Sequence, residues 1–103
     1  MTANLPATRS WSAQIELDLA DTGDELHDTL FELLQPHAGT PTTTNNGQLA
    51  LVLSVEAEDL VEATVRAVQI SRELAAQAGH PGATAIGAEV ITEQERDRRN
   101  STT

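Results

Sequence analysis

Two stretches of this chain alternate apolar and polar residues with period two, and each leads into a stretch of helical period. In "SAQIELDLA" (12–20), Ala13, Ile15, Leu17 and Leu19 point one way, and Gln14, Glu16 and Asp18 point the other. In "QLALVLSVEA" (48–57), Leu49, Leu51, Leu53 and Val55 alternate with Ala50, Val52, Ser54 and Glu56. Such alternation gives an extended strand one buried face and one open face.

After the first strand, Leu26, Leu30, Phe31, Leu33 and Leu34 form a helical stripe. Thr22 with Glu25 matches a capping box, and Asp24 is a second candidate cap. Asp24, Glu25 and Asp28 lie where the helix dipole favours acids. Pro36 and Gly39 end the stripe, so a helix is predicted over 24–35. After the second strand, Leu60, Ala63, Ala67, Ile70 and Leu74 share a face, widened by Thr64 and Ala78. Asp59 is the expected cap, Glu62 and Arg66 can pair at i,i+4, and Gly79 with Pro81 closes the helix. The prediction is a helix over 59–78.

Between these halves lies "TPTTTNNG" (40–47). Asn46-Gly47 is the favoured dipeptide of a tight hairpin turn. The threonines before it suit a strand paired with 48–57. Pro41 has no amide proton to donate to a ladder, which places that strand at an edge. Its two sides are alike, so its register is weakly specified, and a mobile loop over 40–46 is the competing reading. "ATAIGAEVIT" (83–92) reads as a last strand, with Ile86, Ala88 and Val90 inward and Ala85, Gly87, Glu89 and Ile91 outward.

The order β-α-β-β-α-β predicts an α+β ferredoxin-like plait: a four-stranded antiparallel sheet with two helices on one face. Right-handed crossovers put the two alternating strands in the centre and the threonine strand and last strand at the edges. The layout resembles that superfold in element order alone. Residues 1–10 are expected to form a flexible tail, 11–93 a single domain and 94–103 a disordered charged tail, with "EQERDRRNSTT" (93–103) read as a frayed helical turn that gives way to disorder.

Composition narrows the function. The chain has 103 residues, sixteen acids, six arginines, no lysine and a formal net charge of −10. Such a surface repels phosphate backbones and anionic membranes, so no nucleic-acid or membrane partner is expected. A basic protein partner is admissible. The absence of cysteine excludes disulfides and thiolate chemistry. "MTANLPATRS" lacks the apolar core of a signal peptide, and the expected location is cytoplasmic.

No catalytic constellation stands out. Gly79, Gly82 and Gly87 form no phosphate cradle. Asp24, His27 and Asp28 are spaced to converge on one side of a helix, as a metal site would need. A solvated acidic first turn explains them as well, and neither metal nor cofactor is expected. His37 and His80 follow helix ends, where a protonated imidazole is favourable.

The open sheet face is the surface with a use to find. It carries Gln14, Glu16 and Asp18 beside Ala50, Val52, Ser54, Glu56 and Ile91. Ala50, Val52 and Ile91 offer a small apolar seam for self-association. Thr42, Thr43 and Thr44 offer an edge for a partner strand. Trp11, before the first strand, either covers the end of the core or anchors an interface. The reading that follows is a small acidic, non-enzymatic interaction or regulatory module, homodimeric through the open face or the threonine edge. Its alternatives are an acidic nucleic-acid mimic that blocks a basic protein, and a cofactor-free dimeric α+β barrel enzyme with a histidine base. A ligand sensor contacting residues Asp21 to Asp24 is a further variant.

Overall fold

The computed structural model of the chain describes residues 8–101. Its elements are β1 (Arg9–Ala20), α1 (Asp24–Leu34), a short 3-10 turn (Gln35–His37), β2 (Thr40–Thr43), β3 (Gln48–Ala57), α2 (Leu60–Gln77), β4 (Ala85–Thr92) and α3 (Glu93–Ser101). The four strands form one antiparallel sheet in the order β2-β3-β1-β4. The two alternating strands are therefore central.

The core lies between the sheet and two of the helices. Ile15 and Leu17 of β1 and Leu49, Leu51 and Leu53 of β3 are fully buried, with Leu30 and Leu34 of α1 and Ala63 and Ala67 of α2 packed onto them. Small residues on α2 bring that helix close to the sheet. Trp11 closes one end of the core at 7 % exposure. Its indole N–H donates to the carbonyl of Ala57 at 3.0 Å, which satisfies the one polar group of the ring.

Several local expectations are corrected. β1 begins at Arg9, so Arg9 and Ser10 of the tail predicted over 1–10 belong to a strand, and residues 1–7 lie outside the described residues. The Thr22–Glu25 capping box does not form. The residue before α1 is Gly23, with φ 127° and no side-chain cap. Asp21 accepts the Gly23 amide instead. Phe31 turns half outward rather than into the core. On α2, Leu60 is half exposed and Ser71 takes a fully buried place in the stripe. The Asp59 cap forms as expected: its carboxylate accepts the Glu62 amide at 2.8 Å, and Glu62 reaches back to the Glu58 amide at 2.7 Å.

The hairpin also differs in kind. Only Gly47 is left-handed, at φ 80°, and the Gly47 amide donates to Thr44 while the Thr44 amide donates to Gln48. This is a type I turn closed by a glycine bulge, not a two-residue turn with both centres at positive φ. Residues 40–43 are a strand and 44–47 the turn, so the mobile-loop reading of 40–46 is set aside.

The largest correction is at the C-terminus. Residues 94–101, expected to give way to disorder after a frayed helical turn, belong to a third helix of nine residues, while 102–103 lie outside the described residues. No described helix is long and apolar enough to cross a membrane.

Candidate functional site

The register of the sheet defines the open face. Ser12 lies opposite Ser54 on one side and Ile91 on the other; Gln14 lies between Val52 and Glu89; Glu16 lies between Ala50 and Gly87. Thr40 and Thr42 of β2 extend these rows next to Val52 and Ala50. The β1–β4 register shifts after Glu16, so Ile86 has no partner and Ala85 pairs with Leu17. This bulge moves Ala85 onto the core side and leaves Ile86 exposed, the reverse of the expected assignment for those two residues.

Helix α3 packs on this open face, opposite α1 and α2, where it touches β1 and β4. Its first turn is pinned by a polar cluster. The Ser54 hydroxyl donates to Glu93 at 2.7 Å, and Arg96 donates to the Ser12 hydroxyl at 3.3 Å. Ser12 and Ser54 are cross-strand partners, so one hydroxyl pair receives both ends of the contact. Thr92 caps the helix by accepting the Glu95 amide. Glu95 bonds Arg98 and Arg99 at i,i+3 and i,i+4. The Arg98 guanidinium, then that of Arg99, holds the Glu95 carboxyl at about 2 instead of its ordinary 4.5.

Beyond the pinned turn, α3 overhangs the sheet and leaves a cleft of about 290 Å³. Val52 and Ile91 form its apolar floor, Gln14 and Glu89 its polar floor, and Arg96, Arg99 and Asn100 its roof. Two of the chain's six arginines, Arg96 and Arg99, thus line the face that the strands alone would make acidic. Sequence reasoning missed this, because a segment with no apolar residue carries no periodic signal.

A second polar cluster lies at the β2 end of the molecule. His27 Nε2 is 2.5 Å from Asp21 Oδ2 and 3.3 Å from the Thr43 hydroxyl, which donates to the same carboxylate oxygen. The Thr43 hydroxyl first, then the His27 ring and the Gly23 amide, hold the Asp21 carboxyl below its ordinary value, against partial burial. This arrangement fastens the β1–α1 loop to β2. The His27 ring nitrogen bonds Asp21 and Thr43, and among the described residues no three His, Asp or Glu side chains gather to hold a metal ion.

The seven residues singled out from sequence therefore separate. Val52 and Ile91 meet in the cleft floor. Ala50 is fully buried on the same face, under its neighbours. Thr42 lies on that face at the edge, while Thr43 joins Asp21 and Thr44 caps the hairpin turn by accepting the amides of Asn46 and Gln48. Trp11 is in the core end and presents no anchor at the surface. Fold and cleft together define a small α+β domain with a half-roofed sheet face. Compared with family models, curated proteins and solved structures, the chain matches none.

Proposed function

We propose that this chain is a small non-enzymatic interaction or regulatory module that works as a homodimer, built on a ferredoxin-like plait with an added C-terminal helix. The element order β-α-β-β-α-β, the central β1 and β3, and two helices on one face support the plait. One observation carries the functional reading: the sheet face opposite the core helices keeps an apolar floor, Val52 and Ile91, under a helix that buries none of its own residues. A face left this way suits contact with a partner better than chemistry. No histidine lines the cleft, so general acid–base catalysis has no poised imidazole there. A basic protein segment is a second admissible occupant, because Gln14 and Glu89 offer hydrogen-bond acceptors beside the apolar floor.

Sedimentation velocity at micromolar concentrations tests the homodimer. The expected result is a species of twice the 11.0 kDa chain mass. A strict monomer over the accessible concentration range removes the homodimer.

A further inference from the structure

The sheet has two edges, and they differ. β2 is four residues long and contains Pro41, so it offers a partner few backbone groups. β4 is eight residues long, with no proline and one charged residue, Glu89. Short strands, prolines and charges are how sheet edges avoid pairing with other chains. β2 has the first two of these devices. β4 has the bulge at Ile86 near its start and the single charge of Glu89, but it is twice as long and lacks proline, and the run from Gly87 to Thr92 pairs regularly with β1. Ile86, at 54 % exposure, is the one large apolar residue of a described strand that is more than half exposed. α3 lies over the sheet face and leaves the outer side of β4 uncovered by any described strand.

We infer that the outer edge of β4 is where two copies of this chain join, strand to antiparallel strand. This rests on the homodimer reading above and places the contact between copies at the β4 edge, so the cleft floor of Val52 and Ile91 stays open on each copy for a further partner and is not part of the dimer contact. An antiparallel strand can pair with its own copy about a two-fold axis perpendicular to the sheet, and the contact is then self-complementary and closed. The result is one continuous eight-stranded sheet. All four core helices lie on one side, and both copies of α3 with their clefts lie on the other. The blunted β2 edges form the two ends, which stops growth at the dimer instead of a fibre.

Charge selects the register. Pairing centred on Glu89 would set two carboxylates face to face. Pairing centred on Ala88 would set Glu89 against Gly87, where the Glu16 carboxylate already leans to within 3.1 Å of the space a Cβ would fill. Pairing centred on Val90 sets Glu89 against Ile91, beside the arginine-bearing roof of the partner's cleft. Each copy carries a net charge of −10, so the association strengthens as added salt screens their repulsion.

The test compares four proteins by sedimentation velocity: the native chain, the double variant Ile86→Lys with Ala88→Lys, Thr42→Lys at the β2 edge, and Val52→Arg in the cleft floor. Ile86 and Ala88 are both exposed, so lysine there leaves the core intact, which far-UV circular dichroism verifies. The expected outcome is a dimer for the native chain, Thr42→Lys and Val52→Arg, and a monomer for the β4 double variant. Amide exchange on the native chain provides a second readout, with protection within residues 88–92, the run that pairs when the contact is centred on Val90, rising with protein concentration. A dimer lost in Val52→Arg or Thr42→Lys but kept in the β4 variant would overturn the β4 edge and leave the homodimer standing. A monomer throughout would overturn both. Association that weakens with salt would point to ion pairing and count against an edge-to-edge contact.

Discussion

Ala38 adopts the left-handed conformation at φ 52°, and its neighbour Gly39 does not. The glycine serves a different need. A Cβ on Gly39 would stand 2.2 Å from the Val52 carbonyl oxygen, so the chain leaving α1 runs against the β3 backbone itself. Gly39→Ala is therefore expected to destabilise the fold by about 1–3 kcal/mol, the usual cost of overpacking. Ala38→Gly is expected to relieve a left-handed alanine and gain up to ~1 kcal/mol. Urea unfolding followed by Trp11 fluorescence measures both, and an equal effect of the two changes would refute this division of roles. Ser71 offers a third case. Its hydroxyl is fully buried in α2 and has no hydrogen-bond partner among the described residues. Ser71→Ala is expected to raise stability by about 1 kcal/mol, because an unsatisfied buried group carries its full desolvation cost. Lower stability in that variant would mean that the hydroxyl is satisfied in solution.

Among the elements, α3 is held by charge and not by packing. A nine-residue helix is too short to persist alone in water, and this one buries no residue. Its internal bonds converge on Glu95. The Glu95 carboxyl is depressed in the folded state, so its contribution is complete above 4.5 and is lost as pH falls toward about 2. The expected outcome is a loss of helical carbon chemical shifts over 93–101 across that interval, while signals of the core strands persist longer. Helical shifts unchanged at pH 2 would show that other contacts hold α3. The strands and the two core helices were legible because burial imposes a period on the sequence: two for β1 and β3, near 3.6 for α1 and α2. α3 imposes none, since all its side chains are polar and its partners, Ser12 and Ser54, are distant in sequence. Phe31 was misplaced for a related reason. Its spacing fits the stripe, but the stripe is only as wide as the facing sheet allows.

At the scale of the whole molecule, the net charge of −10 is a load that folding concentrates. Self-repulsion of like charges opposes the compact state and is screened by salt. The urea midpoint of the chain is expected to rise between low and physiological ionic strength, with the slope m unchanged. A midpoint that falls would mean that the ion pairs of α3 and the Glu62–Arg66 pair outweigh the repulsion. The self-pairing of β4 belongs to this scale too, because the two edges of the sheet differ only when all four strands are in place.

The alternation of 12–20 and 48–57 by itself determined that this chain makes a sheet with one buried face, and the two stripes after them determined which helices cover it. Those are local patterns, written by the need of each element to bury one side. The tertiary structure alone decided what happens on the other side. It set the bulge that exposes Ile86, the placement of a polar helix over Val52 and Ile91, and the joining of Asp21, His27 and Thr43. Each depends on register or on contacts between residues far apart in the chain, and no periodicity within a single segment encodes them.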